Sequence, residues 1–189
     1  MSLRLAFAFV LALGAPAVVI AAPAGAPVVP PADAAAAVAP LLRQYEGLPS
    51  ADTFRAVTPD PVAALQALYA DPKQPEWVRL RVLDALARFP EPAAQVFLEA
   101  RLDDGAARPT APREAHAAAA VYLRTFPKAA TARLPALLAH PDAAFRVTVV
   151  RIALEAEALE LRTAVAAWLH ATRDPAVQGA LGPATPVLR

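Results

Sequence analysis

Few side chains in this chain are of types that do chemistry, and their spacing limits what they could do. There is no cysteine, so no thiolate nucleophile and no disulfide. The three histidines are His116, His140 and His170. His140 and His170 each close a helical pattern, where an imidazolium suits the negative end of the helix dipole. His116 sits on a polar column of a third pattern and reads as structural. No His-Glu-x-x-His or similar metal spacing occurs, and no glycine-rich phosphate loop. Asp103-Asp104-Gly105 opens like a calcium loop, but Arg108, Pro109 and Thr110 stand where further acidic ligands belong. It reads as a polar turn. Glu155, Glu157 and Glu160 form an acidic corner between two helical patterns. Paired carboxylates can do acid/base work, yet nothing near them in sequence would tune them. The expectation is therefore no catalytic residue, no metal ligand and no cofactor. Trp77 is different. It opens a helical pattern four residues before Arg81, and tryptophan with arginine is a frequent anchor of protein–protein contacts. Trp168 follows Leu161, Ala164 and Val165 at helical spacing and reads as core.

The elements that must position these residues are helices. The chain has 189 residues, room for one domain, and is 57% hydrophobic. The excess is alanine, the strongest helix former. The chain has 21 prolines, and most of those beyond residue 50 fall at the boundaries of helical patterns, where as first-turn residues their missing N–H costs nothing. Residues 1–24 read as a secretory signal peptide: Arg4, an apolar run from Leu5 to Leu13, Gly14 and Pro16 as breakers, and small residues for cleavage after Ala21 or Ala24. The apolar stretch 5–22 is also about the length of a membrane anchor; the breakers and small residues favour cleavage. With the leader, Arg4 is the only charge lost, leaving 17 basic and 17 acidic groups. A neutral chain argues against nucleic acid, which needs a basic field, and against an electrostatic hold on lipid. Residues 25–33 read as an Ala/Pro tether, and 34–58 as two capping helices. The first of these is capped by Asp33 and ended by Gly47, the second capped by Ser50.

From Asp60 a repeat emerges. Helical patterns are expected at 61–70, 76–89, 92–102, 112–126, 129–139, 143–155, 159–171 and 175–181, with a loop at 103–111 and a tail at 183–189. The second member of each pair aligns through Val78-Arg79, Ala115-His116, Phe145-Arg146 and Val177-Gln178, at spacings of 37, 30 and 32 residues. Units of this length are helix pairs whose apolar stripes are buried only by stacking on neighbours.

Leu134-Pro135-Ala136-Leu137-Leu138-Ala139-His140-Pro141-Asp142-Ala143-Ala144-Phe145-Arg146, with the apolar run Val147 to Leu154, resembles a HEAT repeat. The resemblance spans about 60–181 and is sharpest at 134–154. It implies an all-α solenoid of about four antiparallel helix pairs over 59–182, in a right-handed superhelix. It also gives structural roles to Pro135 in the first helix, Asp142 in the turn, and Arg146 and Arg79 in the second helices. In this family the second helices line a concave face. Here that face is expected to carry Trp77, Arg81, Asp84 and Arg88, then Glu114, Ala118, Val121 and Thr125, then Ala144, Thr148, Arg151 and Glu155. The function implied is a non-enzymatic scaffold or adaptor, exported to the periplasm or beyond, holding a protein partner there. Two alternatives stay open: a HEAT-like enzyme or small-molecule binder of the lyase type, and a structural subunit of an envelope complex.

Overall fold

The computed structural model describes residues 31–44, 47–107 and 112–181. Among them the chain is all-α, with ten helices and no strand. The leader (1–24), the tail (183–189) and all but the last positions of the tether lie outside the described residues. The helices are α1 (Pro31–Leu42), α2 (Ala51–Val57), α3 (Pro61–Ala70), α4 (Glu76–Leu86) and α5 (Pro92–Ala107), then α6 (Pro112–Thr125), α7 (Pro127–Leu138), α8 (Ala143–Glu155), α9 (Leu159–Thr172) and α10 (Pro175–Leu181).

Their starts follow from capping chemistry. Ser50, Asp60 and Asp142 accept hydrogen bonds from the N–H groups of Thr53, Ala63 and Ala144 at 3.2, 2.9 and 2.8 Å. Each side chain satisfies a donor that the first helical turn leaves open. Asp174 does this twice, for Ala176 (2.9 Å) and Val177 (3.1 Å). Pro61 and Pro127 occupy the first helical turn, where proline's fixed φ is already helical.

Several boundaries differ from the expectation, among them the start of α7 at Pro127 instead of 129 and the end of α1 at Leu42, short of Gly47; three others show a physical reason. α1 begins at Pro31, so the last tether positions are helical, and Asp33 lies in the first turn instead of capping it. α5 runs on to Ala107, so 103–107 of the expected loop are helical; 108–111 lie outside the described residues. Gly105 costs roughly 1 kcal/mol in a helix, but two ion pairs, one within α5 and one from α7, hold this segment. Arg101 pairs with Asp104 one turn on at 2.8 Å, and Arg133 of α7 pairs with Asp103. α4 ends at Leu86 instead of running to Phe89; Arg88 and Phe89 close a tight turn by donating to Ala85 and Leu86 at 3.0 Å each, which puts the Phe89 ring in the core. Pro135 lies inside α7 as the resemblance implies, and Pro40 lies inside α1. Both are exposed, so each removes a backbone hydrogen bond on the wet side of its helix.

The helices pack as two rows. In one, α4 meets α6, α6 meets α8, and α8 meets α10; in the other, α1 meets α3, α3 meets α5, and α7 meets α9. Helices α3 and α4, α5 and α6, and α7 and α8 also touch across the rows. The space between is filled by Phe54, Phe89, Tyr122 and Phe145 with a continuous set of Leu, Val and Ala side chains. Phe54 and Phe89 meet edge to face at 5.9 Å, the favourable geometry for two ring quadrupoles. α6 contributes Ala115, Ala118 and Ala119 to this core, small residues that let neighbouring backbones approach closely. No described helix is long and apolar enough to cross a membrane.

Candidate functional site

One column of side chains on the second row ties each helix to the next. Arg79 of α4 donates from Nε to Glu114 of α6 at 2.7 Å, and from Nη1 to the Gln74 carbonyl at 2.7 Å. Glu114 also accepts a short hydrogen bond from the Tyr69 hydroxyl of α3. Burial, and then Glu114, push the Tyr69 phenol well above its usual range, and the hydrogen bond from Arg79 to Glu114 raises the guanidinium further. Two units on, Arg146 of α8 repeats the pattern. It donates from Nε to Asp174 at 2.9 Å, with its Nη2 at 2.8 Å, and from Nη1 to the His140 carbonyl at 2.7 Å. The Val177 N–H and then Arg146 hold the Asp174 carboxyl below its usual range. Between these, His116 of α6 reaches α8 with its Nε2 only 3.9 Å from Asp142. The Thr148 hydroxyl donates to the Ala144 carbonyl at 3.0 Å, which leaves its lone pairs for His116 Nδ1 at 2.9 Å. The His116 ring stands edge-on to Phe145 at 5.6 Å.

A second network binds α5, α6 and α7. Tyr122 donates to Glu99 at 2.7 Å, Gln95 donates to the same oxygen at 2.9 Å, and Arg133 approaches the other oxygen at 3.6 Å. The Tyr122 hydroxyl is the largest cause holding the Glu99 carboxyl low.

The face that the second row turns to solvent is now readable. On α4 and the turn that closes it, it is Trp77, Asp84 and Arg88, with Arg81 partly covered. Trp77 is 49% exposed. Arg81 is engaged, its Nη2 donating to the carbonyls of Gln44 (3.0 Å) and Gly47 (2.9 Å). Asp84 touches solvent, yet the atoms crowded around it raise its carboxyl above the usual range, opposed by Arg81 and Arg124. On α8 the face is Ala144, Thr148, Arg151 and Glu155, as expected, with Thr148 half-turned to His116.

On α6 the expected register is wrong by one residue. Glu114 is 9% exposed and Val121 6%, so neither can meet a partner. Ala118 is fully buried too. Glu114 is instead the acceptor at the centre of the Arg79 and Tyr69 cluster. The outward residues of α6 are Arg113, Ala117, Ala120 and Arg124, the alanines partly covered. Arg113 and Arg124 are eleven residues apart, three helical turns, and that spacing was the available signal. The correction exchanges an acid for two arginines on this face. Arg113 approaches Glu76 at 3.9 Å. Arg88, Arg124 and Arg151 have no ion-pair partner within 4 Å among the described residues.

The histidines divide. His170 lies exposed in the last turn of α9, as its position implies. His140 does not cap a helix. Its Nδ1 accepts from the Asp142 N–H at 3.1 Å, and its ring lies 4.3 Å from that of Phe145, so it shapes the turn between α7 and α8. Trp168 is partly buried against the core. No cluster of three or more His, Asp or Glu side chains among the described residues is placed to hold a metal ion. Comparison with protein-family models, with curated proteins and with solved structures returns no match for this chain.

Proposed function

We propose that this chain is an exported HEAT-like α-solenoid that acts as a non-enzymatic scaffold or adaptor in the bacterial cell envelope. The helix pairs stack into a right-handed superhelix, and the outward face of α4, α6 and α8 forms its concave side and holds a protein partner. The observation that carries the reading is Trp77. A tryptophan left half in solvent is a large, rigid contact, and the same row face bears Arg88, Arg124 and Arg151; tryptophan and arginine are the residue types that dominate interface centres. The interior of the same row is closed by Arg79–Glu114 and Arg146–Asp174, so the face is held in a fixed shape and binding loses little to ordering.

The test is crosslinking capture from native envelope with a C-terminally tagged chain, alongside Trp77→Ala and the double variant Arg88→Glu/Arg151→Glu. One partner captured by the parent and lost in both variants, with unchanged thermal unfolding, is the expected result. Capture that survives both substitutions would place the contact elsewhere on the molecule and sink this reading.

A further inference from the structure

At one edge of the second row, where α6 turns into α7 and α8 turns into α9, lies a cavity of about 400 Å³. Its walls are Leu123, Arg124 and Pro127 from one turn, and Glu155, Ala156, Glu157 and Ala158 from the other. The acidic corner visible in the sequence thus faces an arginine from a helix some thirty residues earlier. The three charged groups are held apart across the cavity. No ion pair within 4 Å joins Arg124 to Glu155 or Glu157. Arg124 also acts on Asp84 of α4, whose carboxyl its charge favours in the ionised form. The remaining walls are apolar, with Leu123 fully buried as a floor and Ala156 nearly so. Cavities of roughly 300–1,000 Å³ with apolar walls and a few convergent polar groups are the usual form of small-molecule sites.

We infer that this cavity binds a small cationic amino acid of the lysine type. The argument is charge complementarity. One guanidinium and two carboxylates line the space, so its own charge is met by a ligand with one carboxylate and two ammonium groups. The ligand carboxylate lies against Arg124, whose planar fork suits it. Its two ammonium groups lie against Glu155 and Glu157, and its methylenes run along Leu123, Pro127, Ala156 and Ala158. The cavity shares Arg124 and Glu155 with the face read above as partner-binding, but its argument does not depend on that reading.

The experiment is a ¹H–¹⁵N NMR titration of the full chain with L-lysine, with L-norleucine, which has no side-chain ammonium, and with cadaverine, which has no carboxylate. L-lysine is expected to bind best and to move resonances of 123–127 and 155–158. Glu157→Gln should weaken lysine by about tenfold, the worth of one charge-assisted hydrogen bond, and Arg124→Gln should remove the preference for lysine over cadaverine. All three charged side chains are exposed, so the fold tolerates these changes and an unchanged melting curve confirms it. Equal response to lysine and norleucine, equal response to lysine and cadaverine in the parent, no response to any, or unchanged lysine affinity in both variants would each overturn the assignment.

Discussion

The α4–α6 contact and the α6–α8 contact occupy the same place in successive units and are held by different physics. In the first, Arg79 and Glu114 form a 2.7 Å ion pair, with Glu114 at 9% exposure and Tyr69 donating to the same carboxylate. In the second, the arginine position is His116, its approach to Asp142 is 3.9 Å, and both side chains keep solvent contact. What fills the gap is aromatic: Phe145, buried, receives the edge of His116 and the tilted face of His140. The third contact, Arg146 to Asp174, returns to the arginine form. A repeat position therefore conserves the job of joining neighbouring helices while the chemistry alternates between a desolvated charge pair and a packed ring. The two forms differ in what happens when one member is removed. A buried charge left unpaired is costly, whereas a half-exposed histidine leaves little behind.

The comparison sharpens at Glu114. Glu114→Gln is expected to lower unfolding free energy by about 3 kcal/mol, because Arg79 and the Tyr69 hydroxyl lose their common charged acceptor inside the protein. For a domain of this size that is a fall in Tm of roughly 6–12 °C, read by calorimetry. A fall of a degree or less would mean that solvent already screens the pair. Arg146→Ala comes next. It releases the Asp174 carboxylate and the His140 carbonyl, and leaves α10 held by Val177, Leu181 and its packing on α8. Amide exchange across 175–181 should accelerate by at least about tenfold, a local opening, while α4 and α6 keep their protection. Acceleration across the whole chain would contradict the view that this contact acts locally. The smallest effect belongs to His116→Ala. The exposed approach to Asp142 contributes within about 1 kcal/mol, and the edge contact with Phe145 adds about as much, so urea unfolding should shift by less than the Glu114 variant.

Much of this was legible in the sequence. Helix starts were marked by Ser50, Asp60 and Asp142, because a cap is a local event between residues two or three apart. The alignment through Arg79, His116 and Arg146 was legible for the same reason: one position recurs in each unit. The failures share a cause. Glu114 looks like a surface residue because its partners, Tyr69 and Arg79, lie 45 and 35 residues earlier. α6 is alanine-rich at 115 and 117–120, so hydrophobicity alone does not say which side faces inward, and the register slipped. The continuation of α5 past Asp103 depends in part on Arg133, thirty residues away. Local chemistry fixes where helices begin, and distant partners decide which charged residues they bury. The cavity between Arg124 and Glu157 belongs to the second kind.

The most direct test of the comparison is a pair of double-mutant cycles on unfolding free energy, one on Arg79 and Glu114 and one on His116 and Asp142. The expected coupling is about 2–3 kcal/mol for the first, since its carboxylate is nearly buried and in direct contact with the guanidinium, and under about 1 kcal/mol for the second, whose carboxylate is exposed and further away. Equal couplings, or a larger one at His116–Asp142, would contradict the claim that the two contacts are built from different interactions.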